Sequence, residues 1–216
     1  MKKILLVLLL SIVLIGCRVS GVYVLHLSEV ERPQSANERY GEQKIINFKE
    51  GDGISYIYED ELIKIAWFPT STQFGFILEN KSEYSIKVIW DDAAYVSTRG
   101  SSGRIFHAGI KYNERNYPQP PTVIPKYTFL DDLVIPTENV YFEEWSPLWG
   151  YSGAGWKTQP IFPNKADTKK ELNHMANYFI GKTVKILLPL QVQETVNDYI
   201  FTFNITDFII KKRNSY

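Results

Sequence analysis

Hydrophobic and polar residues alternate with a period of two over much of the chain. Phe74, Phe76 and Leu78 fall on one face of such a run, and the polar segment 80–83 separates it from a second run at 85–90. This period places neighbouring side chains on opposite faces of a β-strand. Two alternating runs around a short polar link predict an antiparallel hairpin.

The same alternation continues towards the end of the sequence. Strands are predicted at 127–135 and 140–144, and two longer ones at 183–193 and 199–210. The residues between the last two, 194–198, are predicted to form their turn. Because strands follow one another without regularly interposed helices, the pattern favours antiparallel pairing over a parallel sheet.

One segment has a helical period instead. Thr168 and Glu171 have the spacing of a capping box, in which each residue bonds the backbone of the other at a helix start. Apolar residues then recur three and four positions apart, and Gly181 is placed to end the helix. The pattern predicts one amphipathic helix near 168–180, packed on one face of a sheet.

These elements predict a mainly β fold, an antiparallel β-sandwich over residues 53–210 with one helix. The stretch FGFILENKSEYSIKVIWDDAAYV, residues 74–96, resembles the immunoglobulin-like sandwiches of bacterial surface lipoproteins. The resemblance is architectural and implies no functional residue. Residues 17–52 are interpreted as an anchor and a loosely packed tether, because they turn polar after a short apolar piece. Residues 211–216 are interpreted as a solvated basic tail.

The first seventeen residues, MKKILLVLLLSIVLIGC, have the order of a secretory signal peptide: two lysines, a short apolar core and a small residue before a cysteine. The ending LIGC resembles the lipobox of bacterial lipoproteins. That resemblance implies a signal peptide over 1–16, cleavage before Cys17, and acyl chains such as palmitate on the Cys17 thiol. The alternatives are an uncleaved membrane anchor, for which the apolar run is short, and a plain signal peptide that leaves Cys17 as a free thiol.

The lipobox resemblance also implies a location. The predicted partner is a membrane, bound through the acyl chains on Cys17, and the predicted location is the bacterial cell envelope. In enterobacteria an Asp after the lipidated cysteine tends to retain the protein at the inner membrane, and this chain has Arg18 there. The outer membrane is therefore favoured if the host is Gram-negative.

Charge and cysteine content narrow the classes of function. Without residues 1–16 the chain has 22 basic and 24 acidic residues, a formal charge of −2. A nucleic-acid partner is not expected, because such domains normally carry a basic face. Cys17 is the only cysteine, so no disulfide framework is expected and stability must come from an apolar core.

Candidate chemistry is sparse. The acidic pairs Asp91-Asp92, Asp131-Asp132 and Glu143-Glu144 are interpreted as turn or strand-edge residues, although two converging carboxylates would serve a hydrolase. The segment 150–154 approaches a nucleophile-elbow motif but lacks the strand and helix that motif needs. The three histidines are scattered, and neither a metal site nor a cofactor is expected.

The aromatic, glycine-rich run 145–156 is the feature with most functional character. Trp145, Trp149, Tyr151 and Trp156 would form a platform for sugar rings or a protein partner, or fold back to cover one end of the sandwich. The preferred hypothesis is a lipid-anchored envelope protein with a non-catalytic binding or structural role. The alternatives are a surface sugar- or peptidoglycan-binding protein that uses this loop, and a hydrolase whose acidic residues converge in the fold.

Overall fold

The secondary structure is dominated by antiparallel strands, as predicted. The structure is a computed structural model and describes residues 18–50, 53–144 and 154–211. Strands hold 53% of the described residues and helices 13%. The strands are β1 (Val19–Glu31), β2 (Lys44–Glu50), β3 (Gly53–Glu59), β4 (Ile63–Pro69), β5 (Phe74–Asn80), β6 (Ile86–Val88), β7 (Ala94–Val96), β8 (Ser102–Phe106), β9 (Thr122–Ile124), β10 (Phe129–Pro136), β11 (Val140–Glu143), β12 (Gly155–Thr158), β13 (Lys165–Ala166), β14 (Thr183–Val192) and β15 (Thr195–Ile210). The helices are α1 (Gln34–Tyr40), α2 (Lys169–Phe179) and the 3₁₀ turns Tyr112–Glu114 and Thr137–Asn139.

Thirteen of these strands join into one curled sheet. Its order is β13-β1-β15-β14-β7-β8-β10-β5-β4-β3-β2, with β6 pairing with β14 and β9 pairing with β6. Strands β11 and β12 form a separate two-stranded sheet. This hairpin is therefore not paired with the main sheet, and its second strand carries Trp156, the end of the aromatic segment.

The curl brings the inner face of β3 and β4 against the inner face of β15. The ring of Trp67 on β4 lies 5.1 Å from that of Phe201 and 5.5 Å from that of Phe203. The ring of Tyr58 on β3 lies 6.0 Å from that of Tyr199. All five side chains are fully buried or nearly so, and they belong to one continuous core. Edge-to-face contacts between such rings add to the stabilisation that their burial provides.

The predicted immunoglobulin-like β-sandwich is not confirmed, since the pairings join into one curled sheet with a short helix. The predicted hairpin of 72–79 with 85–90 is wrong. Strand β5 pairs with β4 and β10, whereas β6 pairs with β14 and β9. Asn80 explains the change of direction, because its buried amide donates to the carbonyls of Tyr84, Ile124 and Pro125. These bonds hold the turn against the end of β9 and lead the chain away from β5.

The tether interpretation of 17–52 is corrected for its described part. Strand β1 pairs with β15 from Gly21 opposite Ile210 to Glu31 opposite Ile200. Leu25, Leu27 and Val30 lie in the main core. The apolar positions of β1 alternate as in the later strands, and their burial outweighs the polar composition of the segment that follows.

The predicted helix is present as α2. The Thr168 hydroxyl accepts a hydrogen bond from the backbone N–H of Glu171, and the Glu171 carboxylate accepts one from the backbone N–H of Thr168. Leu172 and Ala176 are the buried residues of the helix. The two long closing strands are also confirmed, as β14 and β15. Of the predicted basic tail, Lys211 is described and 212–216 lie outside the described residues.

Candidate functional site

A groove of about 410 Å³ lies between the C-terminal half of α2 and the strand β7. Its lining is mixed. The apolar part is Tyr95, Ile161, Phe162, Pro163 and Phe179, and the polar part is Ser97, Thr98, Arg99, Ser101, Glu138, Asn139 and Tyr178. Concave sites of this size with apolar walls and a few polar groups are typical of small-ligand binding.

The groove adjoins the base of the β11–β12 hairpin. Asn139 directly precedes β11, and its buried amide donates to the carbonyls of Gln159 at 3.5 Å and Pro160 at 3.1 Å. The backbone N–H of Ile161 donates to the carbonyl of Ser71. These bonds fix the two ends of the hairpin to each other and to the main sheet, so the hairpin rises from one wall of the groove.

The groove has an electropositive side at α2. The Lys182 ammonium lies 3.1 Å from the centroid of the Tyr178 ring. Lys182, together with the more distant Arg99, lowers the pKa of the Tyr178 hydroxyl below its usual value. Tyr178 is 59% exposed and lines the groove together with Arg99, while Lys182 covers one face of the Tyr178 ring.

The opposite side of the groove carries a carboxylate. Burial raises the pKa of the Tyr95 hydroxyl, and the nearby Glu138 carboxylate raises it further. Both effects disfavour the phenolate, so Tyr95 presents a neutral hydroxyl. Glu138 and Arg99 give the groove charges of both signs, which favours a polar, neutral or zwitterionic ligand over a strongly charged one.

The structure describes one of the four aromatic residues predicted for ligand binding. Trp156 on β12 is 36% exposed, its ring meets that of Phe142 at 72°, and the guanidinium of Arg115 lies 4.7 Å from its centroid. Trp145, Trp149 and Tyr151 lie outside the described residues. The rings of Trp156 and Phe142 are therefore edge to face and not coplanar, and Arg115 covers one face of Trp156.

The predicted lipid anchor, Cys17, also lies outside the described residues, but strand β1 begins two residues after it. In the described part of the chain, neither α-helix is long and apolar enough to cross a membrane.

His107 and Asp132 are distant in sequence and carry no common motif, and the structure brings them together. His107 Nδ1 lies 3.0 Å from Asp132 Oδ2, and the imidazole stacks on Trp90 at 4.1 Å and 5°. The other oxygen, Oδ1, accepts hydrogen bonds from the backbone N–H groups of Ala108 and Leu133. His107 Nε2 is buried and has no hydrogen-bond partner among the described residues, so none of their hydroxyls is placed for activation by this pair.

The other acidic pairs have partners of their own. Asp91 pairs with Arg104 at 3.0 Å, and Glu143 pairs with Lys157. Among the described residues, no three His, Cys, Asp or Glu side chains are grouped to hold a metal ion. The groove residues themselves were missed from the sequence, because four separate segments contribute them and no local motif links those segments.

No protein-family model matches the chain. No curated protein matches it either, and no solved structure does.

Proposed function

We propose that this chain is a lipid-anchored protein of the bacterial cell envelope with a non-catalytic binding role. Cys17 is the anchor, and residues 1–16 are the signal peptide removed before it. The observation that carries the proposal is the sequence MKKILLVLLLSIVLIGC, which ends in a lipobox-like LIGC at the only cysteine of the chain.

The position of β1 supports this proposal. Val19 begins the strand, and Arg18 before it is exposed. The described residue next to the proposed anchor is therefore open to solvent, as processing at this position requires. Two or more acyl chains hold a domain stably at a bilayer, whereas one chain gives only marginal binding.

The anchor is tested by expressing the full chain and a Cys17→Ala variant in a bacterial host. The membrane and soluble fractions are separated, and intact masses are measured. We expect the wild-type chain in the membrane fraction, beginning at Cys17 and carrying acyl mass. The variant should carry no acyl mass. A soluble wild-type chain with an unmodified thiol would overturn the proposal.

A second candidate function is binding of a sugar or of peptidoglycan. Two features favour sugar binding. The groove supplies hydroxyl, amide and charged groups beside Tyr178, and it adjoins the β11–β12 hairpin. Sugars are bound by aromatic faces that stack on the ring and by polar groups that bond the hydroxyls. In sequence, Trp145, Trp149 and Tyr151 lie between β11 and β12.

This second function is tested by sedimentation of the protein with purified peptidoglycan. Tyr178→Ala and Trp149→Ala should each weaken binding by about tenfold, the scale of one binding hot spot. Tyr84→Ala is the matched control, since Tyr84 is 52% exposed and lies outside the groove. Equal binding by all variants would exclude this surface as the binding site.

A further inference from the structure

The beginning of β1 and the end of β15 lie side by side at one edge of the sheet. Gly21 is opposite Ile210, and the backbone N–H of Lys211 donates to the Ser20 carbonyl at 2.9 Å. On the other side of β1, Ser20 is opposite Lys165. The residues that follow Cys17 are therefore enclosed by the C-terminal strand and by β13.

Exposed cations are concentrated at this edge. We call them the basic edge: Arg18, Lys165, Lys169, Lys170 and Lys211. Lys169 and Lys170 belong to the first turn of α2, which packs on β1 and β13. The sequence continues after Lys211 with Lys212 and Arg213.

Two carboxylates lie among these cations and both have partners. Asp167 pairs with Arg18 at 3.2 Å, and Glu171 accepts from the backbone in the capping box. The cations of the basic edge thus outnumber the anions. The chain after residue 16 has a formal charge of −2, so this edge has the opposite sign to the protein as a whole.

We propose that the basic edge lies against the membrane and binds the headgroups of anionic phospholipids. The inference rests on the proposed anchor at Cys17 and adds an orientation to it. Acyl chains on Cys17 would enter the bilayer within about 7 Å of Val19. Lysines that lie against the bilayer are attracted by the charge of anionic headgroups, and this attraction falls off over the Debye length, about 8 Å at physiological salt.

The geometry also explains why this edge, and not another, meets the lipid. Strand β1 begins two residues after Cys17, so this edge is the part of the described domain nearest to the anchor in sequence, and its charge favours this orientation where the lipid is anionic. Ile209, opposite Val22, is 58% exposed beside the cations. A basic cluster with an adjacent apolar side chain is the composition that binds at a membrane surface.

The test uses the full chain, processed in cells and reconstituted in vesicles. Acylation consumes the Cys17 thiol. A cysteine introduced on α2 by Asn173→Cys is then the only thiol that a fluorophore can label. Ser85→Cys, in the exposed turn after β5, provides the distant label. Two kinds of vesicle are compared: phosphatidylcholine alone, and phosphatidylcholine with roughly one third phosphatidylglycerol. Both contain a lipid with a nitroxide at its headgroup, and the quenching of the fluorophore by this nitroxide is measured.

We expect the Asn173→Cys label to be quenched about threefold more strongly when phosphatidylglycerol is present, and the Ser85→Cys label to be unaffected. The difference should disappear in about 1 M salt. It should also disappear when Lys165, Lys169, Lys170 and Lys211 are all changed to Gln. The control variant removes the same charge elsewhere and should behave as wild type; it carries Gln at Lys44, Lys64, Lys87 and Lys126.

Two outcomes overturn the inference, and they differ in kind. Equal quenching in both lipids by a chain that carries acyl mass would overturn the basic edge and leave the anchor intact. An unacylated chain, whose Cys17 thiol itself takes up the fluorophore, would overturn the anchor and the membrane orientation with it.

Discussion

Arg32 and Asp60 form a buried ion pair, with Arg32 Nη1 2.7 Å from Asp60 Oδ2 and side-chain exposures of 3% and 0%. The same carboxylate accepts hydrogen bonds from the hydroxyls of Tyr58 and Tyr199, each at 2.9 Å. The backbone N–H groups of Leu62 and Ile63 donate to its other oxygen. Asp60 therefore joins the end of β1, the β3–β4 turn and β15 through one fully bonded group.

Asp60→Asn should destabilise the fold by about 3–5 kcal/mol. The amide N–H₂ would face hydrogen-bond donors, and the Arg32 charge would remain buried without its carboxylate. Urea denaturation measures the free energy of unfolding. The control is Asp91→Asn, which breaks the exposed pair with Arg104 and should cost about 1 kcal/mol or less. Equal losses for the two variants would show that burial of the Asp60 pair is not what stabilises it.

The two members of the Asp131-Asp132 pair should behave differently. Asp132→Ala leaves His107 Nδ1 and the backbone N–H groups of Ala108 and Leu133 without their acceptor. We expect a loss of about 2–4 kcal/mol in the free energy of unfolding. Asp131 is exposed, and Asp131→Ala should change it by about 0.5 kcal/mol or less. A comparable loss for both, measured by urea denaturation, would contradict this assignment.

Thr168→Ala should lower the free energy of unfolding by about 1 kcal/mol, because it removes the oxygen that caps the first turn of α2. Thr168→Ser keeps that oxygen and should retain most of the stability. Thermal unfolding followed by circular dichroism distinguishes the two. Equal midpoints for the Ala and Ser variants would mean that the cap contributes nothing measurable to the fold.

Alkaline pH should unfold the protein through its buried tyrosines. Burial raises the pKa of Tyr23 to about 12 from a usual 10. Below pH 10 both states keep the proton, so Tyr23 adds no pH dependence there. Between pH 10 and 12 the unfolded chain loses a proton that the folded chain retains, and stability falls as pH rises.

Tyr23→Phe should reduce the fall of stability with pH above pH 10. The substitution also removes the hydrogen bond from the Tyr23 hydroxyl to the Pro163 carbonyl at 3.0 Å. Urea midpoints measured between pH 8 and pH 12 give the slope. Tyr84→Phe, at an exposed tyrosine, is the matched control and should leave the slope unchanged. The same slope in all three proteins would contradict the assignment of the titration to Tyr23.

The sequence was most informative where the determining contacts are local. The capping residues of α2 lie three positions apart, and the alternation of β14 and β15 repeats within each strand, so both could be recognised without tertiary structure. The pairing of β5 and β6 could not. It depends on Asn80 bonding the carbonyls of Ile124 and Pro125, more than forty residues away.

The candidate site was accessible to sequence analysis only in part. Trp156 was predicted from the aromatic composition of its segment, and the structure places it on the hairpin beside the groove. Arg115, which covers its ring, had no local signal. Likewise, the burial of β1 depends on β15, so the polar residues that follow β1 gave a misleading impression of a tether.

The pairing of β1 with β15 also sets the order of events when the chain folds. A chain is synthesised from its N-terminus, so β1 is available early and its main partner, β15, among the last elements. Until Ile200–Ile210 is made, β1, with Leu25, Leu27 and Val30, lacks the strand with which it forms its longest pairing. Folding thus depends on contacts between residues distant in sequence, which makes it slow. Until β15 pairs with β1, the backbone and apolar side chains of β1 are exposed and prone to aggregation. A chaperone that shields β1 during this interval would raise the yield of folded protein.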